Sequence, residues 1–105
     1  MSALHRRPGV DDDILELASY LAEQSVNVAR RFVGATQETL KELAARPGQG
    51  SRKHFADPDL AEVRSWWVKG FPNHLIYYIP LKDGIDVLAV LHGARDVERL
   101  LRGRT

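Results

Sequence analysis

The sequence predicts an α+β domain, a helix hairpin laid on one face of a mainly antiparallel sheet, in the order β-α-α-β-β-β with a short C-terminal tail. Three observations lead there. Residues 11–46 place apolar side chains at the three-and-four spacing of helices. Residues 60–91 change to β-branched and aromatic runs divided by turn residues. Between the two lies PGQGSRKHFADPD, residues 47–59, a loop rich in breakers.

Residues 3–7 read as a short strand ended by Pro8-Gly9. Asp11, Asp12 and Asp13 then open a helix, where carboxylates suit the positive end of the helix dipole. Ile14, Leu17, Ala18 and Leu21 form its apolar stripe. Ser25 is the N-cap of a second helix, whose stripe runs through Val28, Ala29, Phe32, Val33, Thr36, Leu40, Leu43 and Ala44 to the stop at Pro47-Gly48. So short a linker makes the two helices an antiparallel hairpin.

Leu60–Lys69, with Val63, Trp66, Trp67 and Val68, is a strand, and Gly70-Phe71-Pro72-Asn73 is the turn after it. Leu75–Pro80 is the next strand, and Lys82-Asp83-Gly84 turns the chain through an Asp-Gly hairpin signal. Ile85–Leu91 is apolar on both sides, with Ile85, Val87, Ala89 and Leu91 alternating with Leu88 and Val90. Residues 96–102 make a terminal helical turn presenting Val97, Leu100 and Leu101. The hairpin covers one sheet face. The other needs the C-terminal tail or a second chain.

A chain of 105 residues fits one domain, residues 1–105. The 15 Lys and Arg against 14 Asp and Glu leave a net charge of +1, which does not mark a nucleic-acid binder. The absence of cysteine excludes disulfides, thiolate zinc sites and cysteine nucleophiles. MSALHRRPGV has no apolar core of a signal peptide, and no run approaches the roughly 18 apolar residues of a membrane helix. The expected compartment is the cytoplasm.

His5, His54, His74 and His92 show no metal-ligand spacing, no P-loop is present, and Ser25 and Ser65 sit in no nucleophile elbow, so no metal or cofactor is expected. The basic residues gather towards the strands: Arg52 and Lys53 in the loop, Arg64 and Lys69 on the first long strand, then His92, Arg95, Arg99, Arg102 and Arg104. The period of two puts Arg64, Trp66 and Val68 on one face and Val63, Trp67 and Lys69 on the other. Guanidinium beside indole suits phosphate and base contact, and equally a protein interface. The structural alternative is a core tryptophan and arginines that solvate a face. In His92-Gly93-Ala94-Arg95-Asp96, His92 suits proton transfer near neutrality and Arg95 suits a phosphate. The alternative pairs Arg95 with a carboxylate and His92 with the backbone.

The ordered set of segments resembles the ParE-type toxins of the ParE/RelE superfamily. It comprises Asp13-Ile14, Leu17-Ala18-Ser19-Tyr20-Leu21-Ala22, Ala29-Arg30-Arg31-Phe32, Leu43-Ala44-Ala45-Arg46-Pro47-Gly48, Val68-Lys69-Gly70-Phe71, Leu75-Ile76-Tyr77-Tyr78 and Val87 to Asp96. The resemblance spans about residues 8–101. It implies the RelE/ParE-like fold and a type II toxin neutralised by a ParD-like or other small DNA-binding antitoxin, whose extended part wraps the hairpin and sheet. The antitoxin-binding residues would be Leu17, Tyr20, Leu21, Phe32, Leu40, Leu88 and Val90. ParE-like members block DNA gyrase, and the target-binding residues would then be Arg64, Trp66, Lys69, His92, Arg95 and Arg99. RelE-like members cut messenger RNA on the ribosome, for which Arg64, His92 and Arg95 would be the catalytic set. Several RelE relatives use a tyrosine or histidine near the chain end, and here no tyrosine follows Tyr78. The pattern is closer to ParE, so gyrase inhibition without catalysis is the expectation. A relative that only binds its antitoxin is a further alternative.

Overall fold

The computed structural model describes residues 2–93 and 96–104. The elements are β1 (Ala3–Arg6), α1 (Val10–Ala22), α2 (Val26–Ala45), β2 (Ser51–Arg52), a 3-10 turn (Pro58–Leu60), β3 (Arg64–Val68), β4 (Phe71–Leu81), β5 (Gly84–His92) and α3 (Val97–Arg102). The five-stranded sheet has the order β1-β5-β4-β3-β2. β1 runs parallel to β5, and the other neighbours are antiparallel. This is the predicted α+β arrangement, with the two-residue strand β2 added inside the expected loop.

Local signals set the boundaries. Ser25 is extended, and its Oγ accepts the Val28 N–H at 3.2 Å, so it caps α2. The hairpin loop is Lys82-Asp83 alone, since Leu81 already pairs with Gly84. Gly84 belongs to β5, and a Cβ there would run into the backbone of Ala3. Its missing side chain is what lets β1 lie alongside. The expected turn at residues 70–73 is shorter, because β4 starts at Phe71. Val68 pairs with Phe71 while Trp67 pairs with Leu75, so Pro72, Asn73 and His74 bulge out of the β3 ladder.

A second irregularity corrects the reading of β5. Tyr77 pairs with Ala89 but Tyr78 pairs with Val87, which leaves Leu88 as an extra residue. The bulge flips the alternation. Ile85, Val87 and Val90 pack against the helices, whereas Leu88 and Ala89 join the opposite cluster with Leu91 beside it. The helix-side core contains Val10, Ile14, Phe32, Leu40, Leu43, Ile76 and Tyr78. The far side is covered by the chain itself, through Leu60 and Val63 of the long loop and Val97 and Leu101 of α3, with Tyr77 and Leu88 beneath them. The C-terminal tail, helped by the loop, is therefore the cover the sequence required. No second chain is needed there.

Candidate functional site

Arg64 begins β3, opposite Tyr78 on β4. Its Nη1 donates to the carbonyl of Gly50 at 2.7 Å and more weakly to that of Gly48 at 3.4 Å. Tyr78 works on the same loop: its hydroxyl accepts the Gly50 N–H and donates to the Pro47 carbonyl, each at 2.8 Å. Burial raises the phenol pKa above its ordinary value, while the Gly50 hydrogen bond and the Arg64 charge pull the other way. Gly50 is required there, because a Cβ would stand 2.5 Å from the phenolic oxygen and 2.8 Å from the Ser65 carbonyl. Arg64 and Tyr78 together fasten the chain as it leaves α2.

Lys69 turns towards the helices. Its Nζ lies 3.1 Å from Glu38 and 4.0 Å from Glu42, and its N–H donates to Thr39 Oγ1 at 3.1 Å. The glutamates, first through the Glu38 hydrogen bond, raise its pKa. Trp66 packs on the helix-side core, and Trp67 is 46% exposed. Their rings nevertheless stack, 4.2 Å apart and 17° from parallel. A register shift lies directly after this pair, between Trp67 and Val68.

His92 ends β5 directly opposite His74 on β4, with ring centroids 4.7 Å apart. His74 is buried, packs on Phe32 and Phe71, and its Nδ1 has no hydrogen-bond partner among the described residues. Desolvation, and then the nearby His92, lower its pKa below the ordinary histidine value. Sequence spacing gave no hint of this pair, which exists only through the β4–β5 register. Among the described residues no three His, Asp or Glu side chains gather as a metal site would need.

Both histidines line a groove between α1 and α3, along the outer edge of β5, with Leu17, Tyr20, Leu91 and Leu100. Strand β1 pairs with β5 only from Gly84 to Val87. Beyond that point two side chains stand where a neighbouring strand would be. Asp13 Oδ2 accepts the Val90 N–H at 3.0 Å, and Arg104 Nη1 donates to the Leu88 carbonyl at 3.1 Å. The two groups also bind each other bidentately, at 2.6 and 2.8 Å. Gly9, with φ of 97°, opens the helix where the Arg104 guanidinium lies 3.0 Å from the place a Cβ would take. Arg7 joins Asp86 at 2.9 Å and reaches the Arg104 carbonyl at 3.2 Å, tying both chain ends to β5.

The sequence-derived residues are thus dispersed. Arg64, Trp66 and Lys69 lie on the helix side at the β3 end of the sheet, His92 lies in the groove, and exposed Arg99 lies on α3, across the sheet. Arg95 lies outside the described residues. Arg64 and His92 are four β4 residues apart by register, roughly 13 Å along the strand, and on strands either side of β4. Of the seven residues assigned to the antitoxin, Leu17, Tyr20 and Leu21 line the groove. Phe32, Leu40, Leu88 and Val90 are 0% exposed and correct that assignment. Phe32 and Leu40 face the sheet from α2, the β5 bulge turns Val90 towards them, and Leu88 lies beneath α3.

No helix among the described residues is long and apolar enough to cross a membrane. No individual curated protein matches the chain significantly. The family model described as the ParE toxin of type II toxin–antitoxin systems, parDE, matches residues 5–97. That match takes in the end of β1, helices α1 and α2, and strands β2 to β5, and the chain belongs to the ParE toxin family of type II toxin–antitoxin systems.

Proposed function

We propose that the chain is a cytoplasmic toxin that inhibits DNA gyrase through surface contacts, without bond-breaking chemistry of its own, and that a ParD-like antitoxin neutralises it. The separation of Arg64 from His92 carries this reading. A ribonuclease of this set needs a cation at the scissile phosphate while a base reaches the neighbouring 2′-hydroxyl, within hydrogen-bond reach of adjacent atoms. Arg64 is also committed to the Gly50 carbonyl. A protein poison needs no such convergence, and its exposed anchors, Trp67, Lys69 and Arg99, stand on a rigid sheet and its covering helix.

The antitoxin segment fits the groove beside β5. Leu17, Tyr20 and Leu21 supply one apolar wall, Leu91 and Leu100 the other, and the strand edge past Val87 supplies backbone for an extended partner. Tyr20, 64% exposed, is the anchor. The Tyr20→Ala variant is expected to keep its fold and growth arrest while escaping the antitoxin. A variant rescued as fully as the parent would remove the groove assignment.

The target is tested by inducible expression, following chromosomal breaks and total messenger RNA together. Broken DNA with intact messages supports the gyrase reading. Rapid message cleavage with intact DNA overturns it and favours RelE-like cleavage, for which the exposed His92 against buried His74 is the best-placed acid–base pair. In that case His92→Ala would abolish cleavage.

A further inference from the structure

The outer face of the helix hairpin, turned away from the sheet, carries apolar side chains that stay exposed among the described residues. Leu15 is 66% exposed, Val26 54% and Val33 37%. Ala18, Ala22 and Ala29 join Val26 and Val33 in a shallow furrow between α1 and α2. Small residues along a furrow let another helix seat closely, ridge into groove. Three bulky apolar side chains exposed beside it mark an interaction surface.

The charges along its rims identify the occupant. On α1 and at its C-cap, Asp12, Glu16 and Glu23 recur at helical spacing along the outward side, all exposed, and α1 contains no basic residue. On α2, Arg30 borders the furrow, and Lys41 follows on the same side three turns on. Glu16, Glu23 and Arg30 enter no ion pair among the described residues. The face is therefore an apolar floor between an acidic rim and a basic rim, a pattern complementary to itself.

We propose that this face is a self-association surface, on which a second copy of the chain docks hairpin to hairpin as a four-helix bundle. Charge also selects the symmetry. A two-fold axis running along the hairpin lays α1 of one copy over α2 of the other, acidic rim on basic rim. An axis across the hairpin would set α1 on α1 and oppose carboxylates. The inference does not rest on the cellular target, and Glu16 and Glu23 of its acidic rim also border the groove assigned to the antitoxin.

Sedimentation equilibrium of the purified full chain, from micromolar to sub-millimolar concentration, tests it. The expected mass at high concentration is twice 11.8 kDa. Val33→Glu should abolish the dimer. Arg30→Glu should weaken it about tenfold or more, and adding Glu23→Arg should restore it. All three positions are exposed, and matching circular dichroism and thermal midpoints confirm that each variant folds like the parent. A monomer at every concentration would overturn the proposal and leave the furrow to a partner helix. A dimer indifferent to Val33→Glu and Arg30→Glu would overturn it too, by placing the contact elsewhere.

Discussion

Replacing Asp13 by alanine should be among the costliest single changes in this domain outside the apolar core. Its carboxylate accepts from both guanidinium nitrogens of Arg104 and from the Val90 N–H. The two side chains are only 10% and 20% exposed. Removing the carboxylate strands a part-buried cation and orphans a backbone donor on β5. An unsatisfied buried donor costs about 1–3 kcal/mol, and breaking a buried pair about 3–5 kcal/mol. Arg104 still reaches some water, which places the expected loss near the lower end, about 3 kcal/mol. For a domain of this length that lowers the midpoint of thermal unfolding by roughly 12–20 °C. Arg104→Ala should cost less, about 1–2 kcal/mol, because Asp13 keeps the Val90 N–H and its place near the positive end of α1. The double variant should fall short of the sum by about 1–2 kcal/mol. Urea denaturation followed by tryptophan fluorescence gives these values, and amide exchange at Val90 reports the local opening. A loss below about 1 kcal/mol for Asp13→Ala, or strict additivity in the pair, would refute the argument that these groups replace a missing strand.

Three further outcomes follow from the geometry. Tyr78→Phe deletes both hydrogen bonds to the loop after α2 and should cost about 1–3 kcal/mol in denaturant unfolding, with Gly50→Ala destabilising through the same contact. His74, buried with a lowered pKa, takes up its proton later in the native chain than in the unfolded one. Stability is therefore greatest above the unfolded histidine value of about 6.5 and falls as pH drops through it towards the native value. His74→Phe should flatten that slope in unfolding curves taken between neutral and mildly acidic pH. Lys69→Ala, by contrast, should leave the unfolding midpoint unchanged within error, since its glutamate contacts are solvent-exposed and screened.

The elements legible in the sequence are those set by neighbours in the chain. Ser25 was readable as a cap because capping chemistry is local, and Pro47-Gly48 as a stop for the same reason. The strands from Arg64 to His92 follow residue type and turn spacing, give or take a few residues at their ends. What pairing decides was not legible. The bulge at Leu88 reverses the faces of Ala89, Val90 and Leu91, so a strict period of two misassigns the second half of β5. The same register makes neighbours of His74 and His92, eighteen positions apart in the chain. Arg64 looked like a free cation on an aromatic strand, because the carbonyls it binds come from a loop whose path no local pattern fixes. In the sequence Asp13 has the character of a helix-dipole residue, and it does stand in the first turn of α1. Its larger role depends on Arg104, at the far end of the chain.

That last pairing bears on how a small toxin guards a strand that is partly uncovered. An unpaired edge of apolar sequence is a template for unwanted strands. Here β1 shields β5 only to Val87, and the next backbone groups are taken by one acid and one base rather than by chain. Charged side chains guard an edge reversibly. They satisfy the strand's hydrogen bonds in the free protein and can swing aside for a segment that offers backbone in their place. On this view, an antitoxin segment reaching the β5 edge would displace Arg104 from the Leu88 carbonyl. Arg104→Ala should then destabilise the free toxin yet tighten the complex. Paired measurements of unfolding and antitoxin affinity would show the two effects with opposite sign. Equal losses in both would mean that the latch is part of the docking surface rather than its guard.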